Sequence, residues 1–318
     1  MKQYILKNKY QTITILEKGA AIHQWIAFRD QTNIVLSHVD LKDYADNNKG
    51  YFNVLIGRCA GRIRDGRFSL DGNDYQLTRN FEGSHHGHGG LLGFHTKTFD
   101  LVAHSNTTLV LRCVSSDGDE GYPGNLSLSV MFILKGKTLD VRYEAFSDKD
   151  TIVNLTQHIY FNLSNQPTIC NHHLRVNSRE YLEVNECLIP TGVRIPVKNT
   201  LLDFTKRRIL SGSVCDHELR NSPSGGLDHS LVCKKPLKLE LSFERKKLLI
   251  KSDYKAVQLF SANWPLDVNL CNRSFVLNAG LAVEPQYLPD SINHEGFDKV
   301  TLKANERFSK KITYTLSE

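Results

Sequence analysis

Apolar and polar residues alternate with a period of two along much of this chain. Leu126, Leu128, Val130, Phe132 and Leu134 are separated by polar or small neighbours. Leu139, Val141, Tyr143 and Ala145 repeat the pattern, and so do Leu237, Leu239, Leu241 and Phe243. Successive side chains of a strand point to opposite faces, so each run predicts a strand with one face on a core. Asp71-Gly72 lies between Phe68-Ser69-Leu70 and Tyr75-Gln76-Leu77 and predicts a hairpin, because a tight turn needs backbone angles that glycine adopts freely. Lys135-Gly136-Lys137 joins two alternating runs in the same way. Helical periodicity is scarce, and the best candidate is a short stretch near residues 206–219. Many short strands separated by turn signals predict an all-β fold, a large antiparallel sandwich or barrel with few short helices.

The 318 residues would by length alone suggest two domains. Strand patterning runs through residue 150 without a Gly/Ser/Pro linker, so one β domain over residues 1–318 is expected instead. Hydrophobic residues make up 40% and charged residues 23%, which excludes disordered, collagen-like and coiled-coil classes. No run of 18 apolar residues is present, which predicts no membrane-spanning helix. Residues 1–8 lack the apolar core of a secretion signal, and the seven cysteines are odd in number and form no C-x-x-C pair. A cytoplasmic protein with reduced thiols is expected. The net charge of +6 is mild, and the basic clusters Lys206-Arg207-Arg208 and Arg245-Lys246-Lys247 lack interleaved aromatics, so no nucleic-acid partner is expected.

Four segments carry candidate chemistry. If residues 151–163 form a strand, one face holds Asn154, Thr156, His158, Tyr160 and Asn162. Solvent-facing positions usually carry Lys and Glu, and this face has neither. It suits a sugar cleft, where hydroxyls need paired donors and acceptors and a ring covers the C–H surface. The glycine-rich stretch from Gly83 to Phe94 contains His85, His86 and His88. A phosphate-binding G-x-G-x-x-G would need glycine where Leu92 stands, and no partner spacing supports a metal site. The glycines more simply let backbone approach a ligand with a histidine beside it. In Leu281-Ala282-Val283-Glu284-Pro285-Gln286, Glu284 shares a strand face with Ala282 and Gln286, and Pro285 holds it extended. It is a candidate general base or a structural ion-pair partner. Asp228 follows a Pro/Ser/Gly loop, and Arg58 and Arg62 flank small residues. Each is either a grip for sugar hydroxyls or a turn or ion-pair residue.

Taken together in order, these motifs resemble the aldose 1-epimerase (galactose mutarotase) family. The resemblance runs from about residue 53 to about residue 317. It includes Ile56-Gly57-Arg58, Arg62-Ile63, Gly66-Arg67-Phe68, His88-Gly89-Gly90, Gly93-Phe94 and Asp117 through Gly124. It continues through His158, Tyr160-Phe161-Asn162-Leu163, Leu188 through Gly192, Asp228-His229, Gln258 with Asn263, and Glu284-Pro285-Gln286 with Pro289-Asp290. The resemblance implies a mutarotase-like β-sandwich with a sugar cleft and no cofactor. It implies His158 as general acid, Glu284 as general base, His88 as a second active-site histidine, and Arg62, Asp228 and Gln258 as sugar-binding residues. It also implies a small-molecule sugar partner, with the protein a monomer or homodimer. Departures are Gly61 and Gln157, where Asn is usual, Ser261-Ala262 for Thr-Gly, Phe99 for Trp, and the unusual His85-His86-Gly87 before His88-Gly89-Gly90; they bear on sugar preference if they reshape the pocket wall. With unperturbed pKa values, Glu284 would be ionised and His158 substantially protonated at neutral pH, ready to exchange protons with the C1 hydroxyl and the ring oxygen. A non-catalytic sugar module, an epimerase of phosphorylated sugars and a two-carboxylate hydrolase are the alternatives.

Overall fold

The computed structural model describes residues 1–46, 49–271 and 273–318. The alternating runs form the strands their pattern predicts. Leu126–Lys135 and Thr138–Ser147 pair in antiparallel register, Leu128 opposite Ala145 and Val130 opposite Tyr143. The side chains of the apolar set are buried, and those between them are partly exposed. Asp71 and Gly72 connect Arg67–Leu70 to Asn73–Gln76, and both adopt the positive φ that such a turn requires. The helical stretch resolves into two single turns, Ser211–Val214 and His217–Arg220.

Three larger sheets organise the chain, with four, nine and six strands. The nine-stranded sheet centres on Leu126–Lys135, Thr138–Ser147 and Arg307–Ser317. The six-stranded sheet runs Ile159–Phe161, Leu281–Gln286, Ala256–Phe260, Asp228–Cys233, Ser178–Val184, Pro190–Pro196. One contiguous apolar core joins them. Leu128, Val130, Phe132, Val141 and Tyr143 enter it from the larger sheet, and Ile159, Phe161, Leu231, Val257, Leu259, Leu281 and Val283 from the smaller one. The four-stranded N-terminal sheet adds Ile13, Ile15 and Trp25 to the same core. Burying a side chain of this size stabilises by about 1.5–3 kcal/mol, so the inward faces supply most of the drive for sandwich formation.

Because odd and even positions alternate, a sheet with one face in that core offers the other face to something else. In the six-stranded sheet that second face carries the candidate chemistry.

Residues 151–163 depart from the single strand expected of them. They break into Thr151–Ile152, Thr156–Gln157 and Ile159–Phe161, which pair with three different partners. The expected polar face is therefore split. Asn154 bridges backbone at Ala60 and Tyr287, Thr156 is buried opposite Ile56, and Asn162 donates to the carbonyls of Gln166 and Ala279. Of that set, His158 and Tyr160 line the cavity on the six-stranded sheet, and the other three do not. The amides of Asn154 and Asn162 are used up holding backbone that strand pairing leaves unsatisfied, and the Thr156 hydroxyl is buried without a partner. No helix among the described residues is long and apolar enough to cross a membrane.

Candidate active site

The cavity lies against the second face of the six-stranded sheet and has a volume of about 240 Å³. Register builds its floor. Glu284 sits opposite Gln258, and Gln258 opposite Ser230. His158 continues this row one residue before the Ile159–Val283 pair. Two residues along each strand, the next row is Tyr160, Ala282, Phe260 and Asp228. Five of the six residues expected at the site come from two short loops and three strands, and all six line this one cavity: Arg62, His88, His158, Asp228, Gln258 and Glu284. Other surface clefts, beside Tyr75 and beside Tyr10, are lined by no histidine.

Backbone fixes His158 before its ring does anything. Asn53 donates its N–H to the His158 carbonyl at 2.9 Å, and His158 donates to the Val54 carbonyl at 2.9 Å. Gln157 points the other way and donates to the carbonyls of Ala20 and Asn53, at 2.9 and 2.8 Å. It braces the segment that holds the histidine and lies outside the pocket wall. The ring of His158 is buried, and its Nε2 lies 3.3 Å from Glu284 Oε1. His158 Nδ1 and Glu284 Oε2 have no hydrogen-bond partner.

Burial changes the charge state that unperturbed values would give. Desolvation lowers the His158 pKa to about 3. It raises that of Glu284 well above the carboxylate range, with the Asp228 charge pushing the same way and Arg62 opposing it. Burial therefore favours neutral imidazole beside protonated carboxyl. One proton still resides on the pair, and its transfer across the contact converts that state into imidazolium and carboxylate. The pair titrates as a unit, with its singly protonated form spanning a wide pH range.

His88 arrives on the glycine-rich loop. Gly89 is required there: its φ is +87°, and a Cβ would lie 1.8 Å from the Gly57 carbonyl oxygen. The Gly61 N–H donates to His88 Nδ1 at 3.4 Å. A neutral His88 then carries its proton on Nε2, as a donor. Burial, reinforced by His158 and Arg62, holds its pKa well below the usual value, so the neutral form prevails. Its ring lies 5.5 Å from that of His158 and 4.8 Å from that of Tyr51.

At the far end of the floor, Gln258 donates to Asp228 Oδ1 and accepts from Ser230. Asp228 Oδ2 lies 3.7 Å from Arg62 Nη2, and the guanidinium stacks 4.2 Å from the centre of the Phe81 ring. A carboxylate, an amide and a guanidinium are thus pre-oriented, with donors and acceptors to spare.

Arg58 does not belong to this site. It is fully buried and donates to the carbonyls of Ser115, Ser116, Pro123 and Gly124 and to Ser115 Oγ. His86 is equally structural, placed between the Thr78 carbonyl and the Tyr122 hydroxyl, each at 2.7 Å. Among the described residues no group of His, Cys, Asp and Glu is arranged to hold a metal ion. Of the departures from the family pattern, Gly61 alone lines the cavity; Gln157, Ser261, Ala262 and Phe99 do not. Pattern reasoning passed over Tyr51, Phe81, Phe260, Trp264 and Leu266, which form the apolar wall. Trp264 had a signal, being one of two tryptophans in the chain and standing outside any alternating run.

The aldose 1-epimerase family model matches residues 2–315, and the chain belongs to that family. Galactose mutarotase from Mus musculus is 31% identical, with 97% of this chain and 92% of that protein covered. Maltose epimerase from Levilactobacillus brevis is 29% identical, over 99% and 94% of the two chains. The crystal structure of an aldose epimerase homologue from C. elegans superposes with a TM-score of 0.92 at 26% identity, covering 100% of this chain and 99% of that one.

Proposed function

We propose that this protein is an aldose 1-epimerase. It interconverts the α and β anomers of a free hexose, such as galactose or glucose, by opening and reclosing the hemiacetal ring. The observation that carries the reading is the buried His158–Glu284 contact at 3.3 Å, in a cavity whose far end holds Asp228, Gln258 and Arg62.

Ring opening removes a proton from the C1 hydroxyl and delivers one to the ring oxygen. Glu284 as carboxylate takes the first and His158 as imidazolium gives the second. The pair is left as neutral imidazole and protonated carboxyl, the state that burial favours. The open-chain aldehyde rotates about C1–C2 and presents its other face. Protonated Glu284 then returns a proton to the carbonyl oxygen while His158 takes the one on the ring hydroxyl. The proton count of the pair is unchanged throughout, so no exchange with solvent is needed. His88, donating from Nε2, stabilises charge on the ring oxygen. Arg62, Asp228 and Gln258 hold the non-reacting hydroxyls and keep C1 at the pair.

Phosphorylated sugars fit less well. Among the described residues lining the cavity Arg62 is the one Lys or Arg, and it already faces Asp228 and Phe81. A phosphate there would also meet the carboxylate of Asp228. The proposal extends to a single domain over residues 1–318, acting in the cytoplasm as monomer or homodimer, with no cofactor, nucleic acid or membrane partner.

Polarimetry on freshly dissolved α-D-glucose and α-D-galactose tests the activity. Wild type speeds the approach to anomeric equilibrium, and His158→Ala and Glu284→Ala each lose roughly 10²–10⁴-fold of that acceleration. Full activity in either variant overturns the assignment of roles.

A further inference from the structure

Buried polar atoms normally have partners, and a cluster of exceptions marks a place built for something else. One such cluster lies in the cavity wall: His158 Nδ1, Glu284 Oε2, Arg62 Nε and both heteroatoms of Gln286. The first three belong to residues with roles above. Gln286 is 1% exposed, lines the cavity, and has neither Oε1 nor Nε2 hydrogen-bonded. Gln258, the other side-chain amide lining the cavity among the described residues, has both its heteroatoms engaged. Gln157, at the same depth, spends its Nε2 on two backbone carbonyls, whereas Gln286 has neither atom engaged.

Strand geometry says what part of a sugar Gln286 can reach. Glu284 and Gln286 are on one face of Leu281–Gln286, two residues or about 7 Å apart along the strand. Four directions leave Glu284 on the sheet face: His158 and Gln258 across the strands, Ala282 and Gln286 along this one. C1 sits at Glu284, the ring oxygen goes to the histidines, and the far hydroxyls go to Gln258 and Asp228. The remaining substituent next to C1 is the hydroxyl on C2, and the remaining polar side chain beside Glu284 on this sheet face is Gln286. Asn154 ties the Ala60 carbonyl to Tyr287, and Gly61 and Gln286, the chain neighbours of these two, line the same cavity. Gly61 has no side chain to offer, and at φ +76° a Cβ would lie 2.8 Å from Pro289.

We propose that Gln286 binds the C2 hydroxyl of the sugar, its amide accepting the hydroxyl proton and donating to the hydroxyl oxygen or its neighbour. This inference rests on the epimerase reading above. It also gives the residue a function in the reaction, because the aldehyde must turn about C1–C2 while C2 stays in place. Holding the C2 oxygen fixes the pivot.

The test pairs a variant with a substrate that lacks the contact. Wild type, Gln286→Leu and Gln286→Met are compared on D-glucose and 2-deoxy-D-glucose by polarimetry, with thermal melts of all three proteins. On glucose the variants lose about tenfold or more in kcat/KM, mainly through KM. On 2-deoxyglucose they lose less than about twofold, because the hydroxyl that Gln286 serves is gone. The variants melt at or above wild type, since the Gln286 amide makes no hydrogen bond within the protein. Equal losses on both sugars, or none on glucose, overturn the assignment. Wild type that accelerates neither sugar nor galactose instead defeats the epimerase reading itself.

Discussion

Glu284→Gln separates what the buried carboxyl does for the reaction from what it costs the fold. The substitution keeps shape and hydrogen-bonding capacity and removes the exchangeable acid. A positioned base contributes roughly 10²–10⁴-fold, so transition-state stabilisation falls by about 3–5 kcal/mol. Gln258, Asp228 and Arg62 are untouched, so sugar affinity measured by calorimetry changes by less than about threefold. Stability moves the other way. Glu284 is 1% exposed with one unpartnered oxygen, and burial, with Asp228, raises its folded pKa well above the unfolded value. A group shifted in this direction contributes its stability below the unfolded pKa and loses it as pH rises toward the folded one. Wild type at neutral pH therefore carries a cost of about 1.4 kcal/mol for each pKa unit titrated, and the glutamine variant does not. The melting temperature of Glu284→Gln exceeds that of wild type at pH 7.5, and the gap narrows as pH falls toward 4.5. Differential scanning calorimetry across that range, beside polarimetry, reads both effects. A variant that keeps more than a tenth of the activity, or melts below wild type at pH 7.5, refutes the reasoning.

Other substitutions probe the surroundings. Asp228→Ala raises KM through loss of a hydroxyl grip; it also removes a charge that raises the Glu284 pKa, so the alkaline limb of kcat/KM moves to lower pH in a pH–rate series. Arg58→Met strands four carbonyls that the guanidinium now satisfies, and a denaturant titration shows a loss of more than about 4 kcal/mol. Gly61→Ala meets both a positive φ and Pro289, lowering stability by about 1–3 kcal/mol in the same assay.

The sandwich was legible because its strands announce themselves. Leu126 to Leu134 can alternate only if one face is buried, and Asp71-Gly72 can only turn. Glu284 was legible as a cavity residue for a local reason, held extended by Pro285 on a partly polar face. The reading of residues 151–163 was half right. It found His158 and Tyr160 but also assigned Asn154, Thr156 and Asn162 to the cleft. A period-two pattern cannot reveal that a segment passes through three pairings, where the two asparagines satisfy backbone instead of ligand and Thr156 is buried away from the cleft. The apolar wall escaped for a related reason. Tyr51, Phe81 and Trp264 lie outside regular strands, where no periodicity marks which way a side chain faces. Charge states escaped as well, since desolvation at His158 and Glu284 depends on how the sheet face is covered. Gln286 stood in plain sight beside Glu284; only the missing hydrogen bonds of its amide distinguish it from a structural glutamine.

The central claim is that His158 and Glu284 share one proton and work as a unit, and the pH dependence of kcat/KM between pH 5 and 7 tests it most directly. An independent acid near 6.5 and base near 4.3 would give a fall of roughly three- to fourfold over that interval, with a midpoint at 6.5. The buried pair keeps its single proton across the same range, because taking up a second requires acidity near the lowered His158 pKa of about 3 and losing the first requires passing the raised value of Glu284. The account predicts a flat profile once uncatalysed mutarotation is subtracted. A descending limb centred at 6.5 contradicts it.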